Sequence, residues 1–509
     1  MVARMQGRVR LTGRDLAPAA VASVARHEAV VELDADAVAR MRGSRAVVQR
    51  ALDADTPVYG LTTGLGSRVG ERVGREDAAA FSLRMVRGRA TAVGPPLATE
   101  VVRAAMVVRL NGMCLGGAGV SLAVAQGLAA LLNASVHPVI PSSGSVGAAD
   151  LCLLAHVGLA LVGEGEVELG GERLPAAAAL ARAGLAPVEI GPKDGLAICS
   201  SSAVSVGAAT LALLDARDLL RAAQVAAALS MEGFRANLSP IDPRAVAARP
   251  APGQPWAAAG LRSLLAGGEL TRPGVARRLQ DPLSFRCASQ IHGSLYTALE
   301  LLEVTLIPEL EGAGDNPLVI MLDDELISTG NFHAPALSLA LDTTAIAIAQ
   351  VAAATSQRPA RLATARLSGL PAGLTRLGPT RSGVAVLQKT AQSLAVEIRH
   401  LATPLAFDSH VGADGVEDDS TNTVQAALRV RDQLERLRLL VALELVCAAQ
   451  AVDLAAAEPL GAGTAAAHAC VRELVAPLAD DRPLGVDVER VARKALASGV
   501  LLARVGGSA

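Results

Sequence analysis

Four stretches of this sequence, 203–231, 342–357, 384–402 and 424–457, are rich in alanine and leucine, free of proline and nearly free of glycine. Each is apolar around most of the circumference that a helix would present. A helix apolar on several faces leaves no side for water, so other helices must surround it, and the pattern predicts a multi-helix bundle completed by neighbouring copies of the chain. Composition agrees. Aromatic residues make up 2% of the chain against 51% for all hydrophobic types, a balance that favours packed helices over β-sandwiches. At 509 residues the chain can build two or three cores.

The net charge of −2 and the isoelectric point near 6.5 provide no cationic footprint for nucleic acid or an anionic membrane. A small molecule or another copy of the chain is the expected partner. Two uncharged stretches, 115–149 and 195–214, have the length of a membrane span. They are broken by Gly, Pro, Ser, Asn or His and lack charged anchors at both flanks, which predicts buried core. Six cysteines (Cys114, Cys152, Cys199, Cys287, Cys447, Cys470) stand without metal-type spacing, mostly among apolar neighbours. They are read as buried, reduced thiols of a cytoplasmic protein that needs no metal. The opening "MVARMQGRVRLTGRD" is basic but has no following apolar run, so export is not expected. The end "GGSA" is a short low-complexity tail.

Along the chain, 28–53 reads as a short strand, an Asp cap and an amphipathic helix, leading into the glycine-punctuated loop "DTPVYGLTTGLGSRVG". Helical patterning resumes from 100 to 135. "HPVIPSSGSVGAAD" and "EIGPKDGLAICSSS" read as two further loops, and 249–275 and 361–383 as surface excursions. The division expected is a loop-bearing region, 1–200, followed by a long-helix region, 201–509, in one continuous unit.

Several residues in these segments can carry chemistry. Tyr59, one of two tyrosines, lies in a loop whose glycines let a ligand approach the backbone; its phenol is either a general base or a turn anchor. Only three of the 47 lysines and arginines are lysines (Lys193, Lys389, Lys494), so the composition discards lysine wherever any cation serves. Lys389 is either a titratable amine facing substrate or part of a solvated face, because Val384, Leu387, Leu394 and Ile398 already mark one apolar stripe and Lys389 lies off it. Arg286, in "LQDPLSFRCASQIHG", has the fork geometry that suits a substrate carboxylate, or it forms a structural ion pair with Asp281 or another acid. Glu417 belongs to the acidic loop "GADGVEDDSTN", whose spacing supplies no metal-ligand set.

Taken together and in order, "VYGLTTGLG", "GSVGAADLCLLAHVGLALVGEGE", "KDGLAICSSS", "LQDPLSFRCASQIHG", "GDNPLVI", "GNFHAPAL" and "GVEDD" resemble the blocks of the histidine and phenylalanine ammonia-lyases over roughly residues 10 to 500. The resemblance implies a mostly α fold, a long-helix bundle of the ammonia-lyase and fumarase/aspartase-like type. It also implies a homotetramer whose active sites draw on more than one subunit. Members eliminate the α-amino group and a β-proton from an aromatic amino acid, giving an arylacrylate such as urocanate or cinnamate. By position, Tyr59 resembles the β-proton base, Arg286 the carboxylate clamp, Asn316 and Asn331 parts of structural and binding blocks, and Glu417 the carboxylate near the leaving amine.

In the family an Ala-Ser-Gly triplet cyclises and dehydrates into a methylidene-imidazolone electrophile, which needs a Ser to lose water and a Gly nitrogen free to attack. This chain reads Gly147-Ala148-Ala149-Asp150, one residue shorter and without either. Ser200-Ser201-Ser202 stands where the family has Asn-Gly-Thr, Leu283 where Tyr is usual, and Arg89 where histidine ammonia-lyases carry a His. The resemblance therefore narrows to the ergothionase type of relative, which releases trimethylamine from a betaine without a prosthetic group. It implies an amine lyase without a cofactor, acting on an aromatic, imidazole-type amino acid or its N-trimethyl betaine. Lys389 would act on the ring, Arg89 and Leu283 would shape its pocket, and Ser200 would be a further substrate-binding residue. An ordinary ammonia-lyase with an unrecognised modification and a non-catalytic homologue that binds a small aromatic acid are the alternatives.

Overall fold

The structure, a computed structural model, describes residues 7–408 and 411–506; the first six residues and the last three, which carry most of the "GGSA" tail, lie outside them. The chain is mostly α-helical, with short strands between helices. It folds into two compact units, each assembled from three stretches. One comprises Met1–Leu214, Glu303–Leu341 and Pro404–Leu428, the other Asp215–Leu302, Asp342–Thr403 and Arg429–Ala509. These units cut differently from a division at residue 200, because the long helices Ala203–Phe234, Ala288–Glu311, Pro335–Leu362 and Thr423–Ala455 each contribute residues to both.

In the first unit, Asp34 caps the helix Ala35–Asp53 by accepting from the amides of Asp36 and Ala37, as its position after the strand Val30–Leu33 predicts. That strand pairs in parallel with Arg8–Leu11, the helix Pro18–His27 providing the crossover. The patterning over 100–135 resolves into the helices Thr99–Cys114 and Leu122–Asn133. The first of these is buried almost throughout, including Arg103, whose guanidinium donates to the carbonyls of Val24 (2.9 Å) and Leu132 (3.2 Å).

The segments read as loops contain more regular structure than expected. Residues 136–143 hold two three-residue strands, Val136–Pro138 and Pro141–Ser143. Residues 189–202 hold a fully buried six-residue helix, Asp194–Cys199, entered through Lys193 in the left-handed region (φ 65°). So short a helix has almost no propensity of its own; packing against the helices Ala78–Arg89 and Leu151–Leu161 sustains it.

In the second unit, Gln254–Leu265 is a helix that buries Ala257, Ala258, Leu261 and Leu265, so the excursion over 249–275 is only partly superficial. The helix Ala288–Glu311, interrupted in pattern by Gly293 and Pro308, was not among the segments expected to be long helices. Leu387–His400 departs from the expectation in the other sense. It buries Leu387, Ala391, Leu394 and Ile398 and exposes most of the rest, so it is amphipathic and not apolar all round. Asp194–Phe234 and Pro335–Leu362 are long and apolar enough to cross a membrane, but 89% and 61% of their most apolar windows are buried against protein. Four of the six cysteines are buried and two, Cys152 and Cys287, half-buried; all are free thiols.

Candidate active site

In the first unit, three loops meet around residues 145–150. Gly147 takes a positive φ of 86°, and a Cβ there would run into Thr421 and Asn422. The close approach is held by Thr421 Oγ1 donating to the Gly147 carbonyl (2.9 Å) and the Asn422 amide donating to that of Val146 (2.9 Å). Asp150 is wholly buried. Its carboxylate accepts from the Ser205 amide (2.8 Å) and hydroxyl (3.0 Å), and the Ser145 hydroxyl lies 3.1 Å away. Its own amide donates to the Ser201 carbonyl at 2.8 Å. Burial pushes the carboxyl up to about 6, against the hydrogen bonds from Ser205 and Ser145 that favour its ionised form.

The acidic loop connects this turn to the tyrosine loop. The Tyr59 hydroxyl accepts from the Gly66 amide (3.0 Å), and Gly66 faces Ala413 of the acidic loop. Val58 and Leu61, on either side of Tyr59, are buried in a cluster with Val47, Val48, Leu52 and Val319, which fixes the loop to the helix Ala35–Asp53. Glu417 is exposed and pairs with Gly412 through its backbone. Two residues on, Asp419 Oδ2 lies 2.9 Å from His333 Nε2, and His333 forms a β-bridge with Ala148. Tyr59, Glu417 and residues 147–150 are thus drawn together through residues 411–422.

The other expected residues of this unit are placed around that centre. Arg89 ends the helix Ala78–Arg89, where its charge opposes the burial that pushes the Cys199 thiol up to about 12. Ser200 is buried at the end of the Asp194–Cys199 helix. Asn316 Oδ1 accepts from the Thr329 amide (3.0 Å) and Asn331 Nδ2 donates to the Ala313 carbonyl (3.3 Å), so both amides close the local chain. Asn331, Ser201, Ser202, His333, Arg109 and Glu309 line a cavity of about 390 Å³. Arg109 is committed to Asp315 (2.6 Å) and the Ala197 carbonyl (2.8 Å), while burial pushes the Glu309 carboxyl up to about 7.

Arg286, Leu283 and Lys389 belong to the second unit. Arg286 ends the one-turn helix Leu283–Arg286 and is hydrogen-bonded to Gln280; Asp281, the alternative partner, instead accepts from the Asn237 amide (2.6 Å). Leu283 is 60% exposed. Lys389 lies on the exposed side of its helix, sharing a face with Val386 and Val396, which are 57% and 51% exposed.

Sequence reasoning missed Asp150 as the hub of the loop, the His333–Asp419 pair and Glu309. Only Asp150 left a signal, as the lone carboxylate in the long stretch between Arg109 and Glu164, where His137 and His156 are the only other titrating side chains besides cysteines.

A profile of the aromatic amino acid lyase family matches residues 16–473. A histidine ammonia-lyase of Symbiobacterium thermophilum is 41% identical over 474 residues, 93% of each chain, and one of Myxococcus xanthus 37% identical over 98% of each. Among solved structures, ergothionase from Treponema denticola in complex with desmethyl-ergothioneine sulfonic acid superimposes with a TM-score of 0.93 at 30% identity, covering 97% of this chain and 99% of that one. Histidine ammonia-lyase from Trypanosoma cruzi gives 0.91 at 30% identity, covering 98% and 95%. With blocks, fold and relatives in agreement over nearly its whole length, the chain is a carbon–nitrogen lyase of the aromatic amino acid lyase family.

Proposed function

We propose that this lyase eliminates an amine from an aromatic, imidazole-type amino acid or its N-trimethyl betaine without a methylidene-imidazolone. One observation carries the reading. Ala148 and Ala149 have no hydroxyl to lose, and the nitrogen that would have to attack is the Asp150 amide, already donating to Ser201 at 2.8 Å. The residues do not fit the group. Its job must then be done by the substrate's own leaving group and by charge placement. A quaternary trimethylammonium leaves as a neutral amine that has no N–H and needs no electrophile to draw it off. In that reading Tyr59 removes the β-proton, Arg286 holds the carboxylate, Lys389 hydrogen-bonds or protonates the ring, and Glu417 faces the departing amine; the C–N bond breaks as the double bond forms.

Three of these residues stand beside exposed apolar side chains: Lys389 by Val386 and Val396, Glu417 by Val416 (65% exposed), and Arg286 near Leu283. Exposed apolar surface next to polar side chains supports the homotetramer, with each site completed by other copies of the chain. The relatives named above as histidine ammonia-lyases favour plain histidine as the second reading.

The test is a panel of histidine, phenylalanine, tyrosine, hercynine and ergothioneine, with arylacrylate absorbance and the released amine both measured. Trimethylamine from a betaine is expected, with Lys389→Met slowing it about 100-fold. Ammonia from histidine at a comparable rate would sink the betaine reading.

A further inference from the structure

The turn that carries Arg286 is held from beneath by a buried ion pair. Arg358 and Glu444 are both wholly buried in the second unit. The Arg358 guanidinium donates through Nε and Nη2 to the two Glu444 oxygens, the latter at 2.7 Å, so the pair is bidentate. Ser230 Oγ donates to the same carboxylate (2.7 Å), and Thr355 Oγ1 accepts from Nη2 (3.1 Å). The remaining donor, Nη1, reaches the backbone carbonyl of Ser284 at 3.1 Å. Ser284 is the second residue of the one-turn helix Leu283–Arg286. A four-residue helix cannot hold itself, so its orientation comes from its ties. Asp281 is tied to the Asn237 amide, Phe285 stacks on Phe234 with ring centroids 4.4 Å apart, and Arg358 pins the carbonyl between them.

A buried ion pair is a weak stabiliser, since desolvation offsets most of its attraction, and a hydrophobic pair of similar volume packs at least as well. Stability alone therefore does not account for its presence. The neighbouring His292, wholly buried and with neither ring nitrogen hydrogen-bonded among the described residues, is held neutral by burial and by the Arg358 charge, down to about 3. It therefore adds no second cation to the pair.

We infer that Arg358 and Glu444 are positioning residues for substrate recognition: through the Ser284 carbonyl they set where the Arg286 guanidinium stands and so set the preference for a carboxylate-bearing ligand. The inference rests on the proposed role of Arg286 as carboxylate clamp, and the experiment separates the two. Binding of trans-cinnamate and trans-urocanate is compared with binding of their carboxamides in the wild type, Arg286→Ala, Glu444→Gln, Thr355→Val and Ser230→Ala. Arg286→Ala is expected to abolish the carboxylate preference. Glu444→Gln should reduce it about tenfold and the two outer variants about two- to threefold, with carboxamide affinity changing less than carboxylate affinity. Thr355→Val and Ser230→Ala keep both buried charges, so they decide the matter if Glu444→Gln does not fold. Merely structural damage would weaken acid and amide in parallel. Parallel losses, or an intact preference in the folded variants where Arg286→Ala has lost it, would overturn the positioning role. An intact preference in Arg286→Ala would overturn the clamp and this inference with it.

Discussion

Tyr59→Phe is expected to lower turnover of whichever substrate the panel identifies by about 10²- to 10⁴-fold. The change removes one hydroxyl from a half-buried ring whose neighbours Val58 and Leu61 keep the loop in place, and among the described residues the hydrogen bond lost is the one accepted from the Gly66 amide. The stability cost should therefore stay near 1 kcal/mol. This contrast between a large kinetic effect and a small structural one is what a base predicts. A turn anchor predicts the reverse. Steady-state rates and thermal unfolding on the same preparation distinguish them, and a rate within twofold of wild type would remove Tyr59 from the chemistry.

The second large effect is on stability. Asp150→Ala leaves the Ser205 amide, the Ser205 hydroxyl and the Ser145 hydroxyl without the carboxylate they share, in a place water does not reach. About 3 kcal/mol or more should be lost, enough to show in urea unfolding. The pH dependence follows from the raised carboxyl. Between the ordinary Asp value of 3.8 and about 6 the folded chain keeps a proton that the unfolded chain has released. Stability contributed by Asp150 is thus greatest below that window and falls by about 3 kcal/mol as pH rises through it, with no further change above. Asp150→Asn cannot titrate, so the difference between wild type and this variant should slope from pH 4 to 6 and flatten beyond. A difference independent of pH would mean that the carboxyl is ionised throughout.

The long helices Ala203–Phe234, Pro335–Leu362 and Thr423–Ala455 were legible because each contains a proline-free stretch whose period depends on local chemistry alone. The strand, cap and helix over 30–53 were legible for the same reason, since Asp34 does its work within three residues. The buried helix Asp194–Cys199 was not, because its stability comes from two other helices and no local signal records that. Ala288–Glu311 was not picked out; it contains Gly293 and Pro308, both poor helix formers, and packing overrides them. In the candidate site, Tyr59, Glu417 and residues 147–150 could be picked out by type and block. What joins them, the contact of Gly66 with Ala413 and the bonds of Thr421 and Asn422 to Gly147 and Val146, spans more than 270 residues of sequence and has no pattern to betray it. Arg286 shows the limit from the other side. The alternative to a substrate carboxylate was an ion pair with Asp281 or another acid, but Asp281 accepts from a backbone amide and Gln280 takes its place beside Arg286.

The central claim is that elimination proceeds on this scaffold without a self-made electrophile, and it is tested most directly by the mass of the peptide spanning residues 141–156 from the purified, active protein. The mass written by the sequence, with Ala148, Ala149 and Asp150 intact, is the predicted result. A peptide lighter by two waters, with the ultraviolet absorbance of a conjugated ring, would contradict it.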